Sequence, residues 1–420
     1  MLATTAQGEA GRRAVARCDQ LGAAPFSEEE GILFRPYLTV AHARTLDVVS
    51  GWMEHAGMAV HLDPIGNLLG RYEGAEPGAP ALLIGSHIDS VHDAGRYDGP
   101  LGVMLGIETV QALHNAGRRL PFAVEVIGFG DEEGSRFPQS MLCSRALVQG
   151  VDPAALDLTD SRGVTLAQAL EDFGLDSKRA STAKRAPGEV FAYLEAHIEQ
   201  GPVLEAEELP LGVVTAIAAQ LRIKATYRGV AGHAGTTPMR LRKDSLAAAA
   251  EAVLAVERIC REAGGDMVGT VGRILPSTGA FNVIVGATEI GIDLRAGDRA
   301  FRNATAETVK AALAKIAADR GLEVEVVQMQ DLAGCPCDPK LSGLLAEAVA
   351  TTGQGDFRML SGAGHDAMVL GPLCPVSMLF IRCAEGISHN SAESVDPGDC
   401  GAAVAAMSAF VDKLAETYRK

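Results

Sequence analysis

Three short stretches of this chain are largely apolar: Ala81-Leu82-Leu83-Ile84-Gly85, which is continuous, Phe122 to Phe129, broken only by Glu125, and Val376-Ser377-Met378-Leu379-Phe380-Ile381. Runs of this length next to glycine or proline predict strands buried on both faces. Residues 101–117 carry a helical apolar pattern that stops at Gly117, and helical periodicity recurs over 8–22, 40–57 and 397–418. Met58 to Arg71, with Gly66-Asn67 at its middle, reads as strand, turn and strand. Strand alternating with helix predicts an α/β layer around a mixed, mostly parallel sheet.

The pattern changes near Gly212. Leu221 to Tyr227 alternates apolar with polar residues, as an antiparallel strand with one wet face does. An alanine-rich helix follows over about 242–264, then strands over 266–274 and 281–294 on either side of Pro276, a helix over 302–319 and a strand over 323–328. The order β-α-β-β-α-β is that of a ferredoxin-like α+β sandwich. Residues 214–328 are therefore expected to be inserted into a discontinuous α/β domain made of 1–213 and 329–420.

A chain of 420 residues is long for a single core, which agrees with two domains. Its 47% apolar and 21% charged residues describe a globular protein. The formal net charge of −16 repels phosphate, so nucleic acid and anionic membrane surfaces are excluded as partners. The eight cysteines form no Cys-x-x-Cys pair, and Cys335-Pro-Cys337 has no second pair to complete a zinc site. Reduced thiols in a reducing compartment are expected. With no basic-then-apolar leader and no run of membrane-spanning length, the expected location is cytoplasmic.

The candidate chemistry lies at the strand ends. His87 and Asp89 close the first apolar run two residues apart, a spacing that puts both side chains on one side of the chain. The pair reads as a ligand with the carboxylate that orients it, or as a polar surface loop. Asp98 stands at a glycine-rich turn before the 101–117 helix, where it either bridges two metal ions or caps the helix. Glu132 and Glu133 are adjacent after the second run. Neighbours there point apart, so one can bind metal while the other moves a proton. His197 and His389 complete the set. Each alone is an ordinary residue. Together they are imidazoles and carboxylates collected at strand ends, a nitrogen–oxygen set that suits zinc, manganese, cobalt or nickel and not an all-oxygen calcium cage. A second polar group lies in the inserted segment: His233 in Gly-His-Ala-Gly-Thr-Thr-Pro, Asn282, and Arg295 at a strand end. A guanidinium with an amide is a natural clamp for a substrate carboxylate, although such residues also end ordinary surface strands.

Taken in order, His87-Ile-Asp89, Asp98-Gly-Pro-Leu-Gly, Asp-Glu132-Glu133-Gly-Ser-Arg-Phe, His197-Ile-Glu-Gln-Gly-Pro, Gly-His233-Ala-Gly-Thr-Thr-Pro, Ser361-Gly-Ala-Gly-His365-Asp and Ser-His389-Asn resemble the hydantoinase/carbamoylase family of amidohydrolases over nearly the whole chain. That family includes allantoate amidohydrolases, N-carbamoyl-L-amino acid hydrolases and β-ureidopropionases. It shares a zinc-aminopeptidase-like fold with dinuclear aminoacylases and carboxypeptidases. The resemblance implies two divalent metal ions per subunit, one on His87, Asp98 and His197, the other on Asp98, Glu133 and His389. It implies Glu132 as general base and acid, with Asp89 behind His87. Gln200, Asn282, Arg295 and His365 fall among the substrate-binding positions. It also implies that 214–328 is a dimerisation lid, and that His233 stabilises an oxyanion in the partner's site. Peptidase relatives usually carry a carboxylate where His197 stands, which favours the carbamoylase side. The expected reaction is hydrolysis of a ureido C–N bond in a small carboxylate, releasing ammonia and carbon dioxide. Allantoate is favoured by the Glu132-Glu133 motif and by the Asp93-to-Asp98 lead-in. N-carbamoyl-L-amino acids are the alternative, followed by an aminoacylase- or dipeptidase-like enzyme or a metal-free binding protein.

Overall fold

The structure is a computed structural model that describes residues 5–418; the first four and last two residues of the expected 1–213 and 329–420 segments lie outside it. The chain forms two compact units. One takes in the chain as far as Thr215, then Cys337–Met359 and everything from His365 on; the other is Ala216–Pro336 with Leu360–Gly364.

The first unit is built on a mixed sheet with strand order Ala59–Leu62, Leu68–Tyr72, Ala123–Phe129, Ala81–His87, Val190–Ile198, Val376–Ile381, Leu211–Ile217. The four central strands, 123–129 to 376–381, run parallel. The flanking pairings are antiparallel. Every residue of Ala81–His87, Ala123–Phe129 and Val376–Ile381 is buried, as largely apolar central strands require, and the one acid among them, Glu125, is paired with Arg71 and Arg185. Helix Pro100–Asn115 starts with proline at its first turn and is buried on nearly all sides. It lies close to the sheet because residue 102 is glycine: a Cβ there would drive into the Ala196 carbonyl. Its one buried acid, Glu108, is held by Arg13 at 2.6 Å and Arg17 at 2.9 Å, both from helix Thr5–Leu21. Because the central strands are parallel, His87, Phe129, Ile198 and Ile381 all end at the same edge, and the loops that follow them converge there.

The second unit is a four-stranded antiparallel sheet, order Glu323–Leu332, Ala219–Arg228, Ala287–Ala296, Val268–Pro276. Helices Ser245–Ala263 and Arg299–Asp319 pack against it through small residues such as Ala248, Ala249 and Ala252. The expected 281–294 strand is two pieces. Val283–Ile284 pairs with Gly232–His233 in a separate ribbon, and the long strand begins only at Ala287. The break falls where the Val285 carbonyl turns to accept from the Ser245 amide and hydroxyl at the start of a helix. Among the described residues no helix is long and apolar enough to cross a membrane. All eight cysteines are buried and none forms a disulfide.

Candidate metal centre

His87 and His197 face one oxygen of Asp98. The His87 Nδ1–H donates to the backbone carbonyl of Asp89 at 3.2 Å, and that of His197 to the carbonyl of Ile198 at 2.9 Å. A proton placed on Nδ1 in this way leaves the Nε2 lone pair available to a cation. The two Nε2 atoms stand 3.4 and 3.1 Å from Asp98 Oδ1. The other oxygen, Oδ2, meets His389 Nε2 at 3.2 Å and accepts from Gln200 Nε2 at 2.8 Å and Ser388 Oγ at 2.6 Å. Glu133 Oε1 lies 3.5 Å from His389 Nε2. Asp98 is not the helix cap: the cap is Gly99, at φ 83° and without a side-chain bond. Any Cβ at Gly99 would press into the His87 ring, so the turn needs glycine on two counts.

Three ligand groups follow: His87 with Asp98 and His197, Asp98 with Glu133 and His389, and His87 with Glu132 and Glu133. Within each group the donor atoms lie within 4.8 Å of one another. The electrostatics fit cations. Burial pushes the carboxyls of Glu132, Asp131 and Asp366 well above the usual carboxylate range and Glu133 up to about 7, and neighbouring acids add to the effect. Burial pushes Asp98 in the same direction, but the three imidazoles outweigh it and hold Asp98 well below that range. A crowd of buried acids around three imidazoles, sharing one carboxylate between two sets of donors, is a site that positive ions would stabilise.

Several expected roles change in detail. Asp89 was expected to orient His87 through its carboxylate. The closer acceptor is its backbone carbonyl, with Oδ1 at 3.5 Å, while the carboxylate accepts the backbone N–H of Glu132 at 3.0 Å and of Glu133 at 3.2 Å. Asp89 thus fixes the turn from which both glutamates diverge. His365, expected among substrate contacts, is buried, with its ring edge-on to His197 at 4.6 Å and to Phe380 at 5.8 Å. Gln200, also expected on substrate, donates to Asp98.

In the second unit, His233 and Asn282 belong to the same ribbon: the Ala234 N–H donates to the Asn282 carbonyl at 2.9 Å. His233 is exposed and its Nδ1 accepts from the Gly235 amide at 3.1 Å, which places the ring proton on Nε2. Arg242 braces the loop through the carbonyls of Ala234 and Thr237 at 2.5 and 3.1 Å. Arg295 is not an open clamp. Its Nε and one terminal nitrogen meet Asp293 at 2.7 and 3.2 Å, and the other donates to the Gly362 carbonyl at 2.5 Å.

Sequence reasoning passed over Ser388 and Glu195. Ser388 adjoins His389, and that adjacency was its only signal. Glu195 precedes His197 by two in a strand and so shares its face. It is fully buried and accepts from Ser86 Oγ at 3.0 Å and the Ala367 amide at 2.9 Å, joining the elements that carry His87, His197 and His365.

Comparison with known proteins places this geometry among relatives. The model of peptidase family M20/M25/M40 matches residues 83–413. An N-carbamoyl-L-amino acid amidohydrolase from Geobacillus stearothermophilus is 39% identical over 389 residues, 93% of this chain and 95% of that one. Allantoate deiminase 1 from Glycine max is 38% identical over 431 residues, 96% of this chain and 89% of that one. A crystal structure of a hydantoinase/carbamoylase family amidase from Burkholderia multivorans superposes with a TM-score of 0.89 at 32% identity, covering 97% of each chain.

Proposed function

We propose that this chain, which belongs to peptidase family M20/M25/M40 and is a hydrolase of C–N bonds other than peptide bonds, cleaves the ureido C–N bond of a small carboxylate, with allantoate favoured. The observation that carries the reading is the sharing of Asp98: one oxygen faces His87 and His197, the other His389. His87, Asp98 and His197 would hold one divalent cation, and Asp98, Glu133 and His389 a second. Such ions, zinc or manganese with cobalt and nickel as alternatives, supply a Lewis acid for the ureido carbonyl and lower the pKa of water toward about 7.

The side chains do the rest. Glu132 takes the proton from the attacking water and delivers it to the departing nitrogen as the C–N bond breaks. Its upward-shifted pKa, caused first by burial, suits a group that must hold that proton between the two events. The carbamate left behind breaks down to ammonia and carbon dioxide. His233, with its proton on Nε2, would donate to the developing oxyanion in the site of a second copy, with the dimer formed through 214–328. Asn282 and Gln200 would orient the ureido group. Arg295 would divide its guanidinium between Asp293 and the substrate carboxylate. His365, buried against His197, supports that ring. The buried thiols without disulfides fit work in a reducing cytoplasm.

N-carbamoyl-L-amino acids are the second reading, favoured by the 39% identity to a hydrolase of that name. Ammonia release from allantoate, a panel of N-carbamoyl-L-amino acids and N-carbamoyl-β-alanine, measured in parallel with manganese or zinc supplied, tests both. The fastest release is expected from allantoate. Hydrolysis of N-acyl amino acids with no ammonia from any ureido acid would overturn the proposal.

A further inference from the structure

We infer that Glu393 is a positioning residue of the metal centre: its carboxylate clamps the turn that presents Asp98, so that the Asp98 turn and the His389 loop are set as one piece. The inference rests on the reading of Asp98 as a ligand shared by two cations.

Glu393 follows His389 by four residues and is 4% exposed. Its Oε1 accepts two backbone N–H groups, that of Tyr97 at 2.7 Å and that of Asp98 itself at 3.1 Å. The next residue but one, Pro100, has no N–H, and Gly99 offers no side-chain cap, so nothing local to the turn does this work. The turn also makes room for the acid: a Cβ at Gly95 would collide with all three carboxylate atoms of Glu393. The same loop holds Asp98 a second time through Ser388 Oγ on Oδ2, and places His389 Nε2 beside that oxygen. The loop has its own bracing. The Asn390 side chain accepts from the Ala392 amide at 2.9 Å, its carbonyl accepts from the Glu393 amide at 3.0 Å, and the Cys383–Val395 bridge closes the base.

Among the described residues Glu393 has no ion-pair partner. A buried carboxylate without a counter-ion is costly to the fold. Two amide hydrogen bonds offset part of that cost, and both fall on the turn that carries the shared ligand. The backbone of Asp98 is thereby pinned by one residue of the 388–393 loop while its side chain is met by two others. Both of its carboxylate oxygens are kept in place for two sets of donors.

The test is calorimetric titration of manganese into metal-free protein, with a thermal melt of each metal-free sample. Wild type is expected to take up two ions per chain. Glu393→Ala should weaken both by about 10- to 100-fold, the range seen when an outer-shell partner of a metal site is removed. Glu393→Gln keeps an acceptor oxygen and should recover most of the affinity. Gly95→Ala, which pushes on the carboxylate from the other side, should reproduce the loss and serves in place of Glu393→Ala if that variant does not fold. Wild-type affinity for both ions in Glu393→Ala or Gly95→Ala, with only the melting temperature lowered, would make Glu393 a structural brace and overturn the inference. A wild type that binds no ion would instead overturn the shared-ligand reading beneath it.

Discussion

Glu132 and Glu133 are chemically identical neighbours with different surroundings. Asp89 holds both of their amides, and from that fixed turn Glu133 reaches toward His389 while Glu132 stands beside His87. Of the two, only Glu132 lies outside the two proposed ligand sets, which is why the proposal gives it the proton. Glu132→Gln preserves volume and one acceptor oxygen but removes the base. The expected outcome is a kcat lower by about 10²- to 10⁴-fold with unchanged metal content, read from ammonia release and elemental analysis of the same sample. A rate near that of wild type would take Glu132 out of the mechanism. The adjacency of two acids after a buried strand was legible in the sequence. The turn that carries both acids is held by a carboxylate 43 and 44 residues away, which no local pattern shows.

The elements that carry the centre are held in place by how closely helix Pro100–Asn115 approaches strands Ala81–His87 and Val190–Ile198. Gly102 sits at that approach, and a methyl there would strike the Ala196 carbonyl and the Ser86 side chain. Gly102→Ala is expected to destabilise the protein by about 1–3 kcal/mol in urea unfolding, because an overpacked contact against backbone has no flexible end to yield. It should also weaken metal binding, since His87 and His197 ride on the displaced strands. Gly51→Ala is the contrast. Gly51 lies in helix Val40–His55 with nothing within 4 Å of the added Cβ, so the change should stabilise by about 0.5–1 kcal/mol and leave metal binding alone. A similar gain in both variants would show that helix backbone entropy, not close packing, governs these positions. The apolar runs and helical periods predicted strand Ala81–His87 and helix Pro100–Asn115 to within a few residues, because burial on both faces leaves a continuous signal in the chain; strand Val190–Ile198 was not predicted. The short helices Leu142–Gln149 and Leu166–Asp172 were not anticipated, being too short to establish a period.

For the whole molecule, a net charge of −16 sets a general repulsion against anions, so the proposed carboxylate substrate would need local cationic groups, the role proposed for Arg295. The proposed donation of His233 across a dimer has a direct test. His233→Ala and Glu132→Gln should each be nearly inactive alone. Unfolded, mixed in equal amounts and refolded together, they should recover about a quarter of wild-type activity, since half the dimers are hybrids and each hybrid holds one intact site. No recovery, in a sample that gel filtration shows to be dimeric, would place His233 in its own subunit's chemistry or outside the reaction.

The order of residues alone was enough to identify the α/β layer, the inserted sandwich, and the imidazoles and carboxylates that gather at the centre. Each of these leaves a local trace, whether an apolar run, a period, or a ligand type beside glycine at the end of a strand. Folding assigned the rest. It gave His87 and His197 to one oxygen of Asp98 and His389 to the other, and it turned the Asp89 carboxylate onto two amides. It also buried His365 behind His197, engaged Arg295 with Asp293, and brought Glu393 to a turn 296 residues away. Several of these contacts join residues far apart along the chain, and all depend on side-chain geometry that no short pattern of residue types encodes.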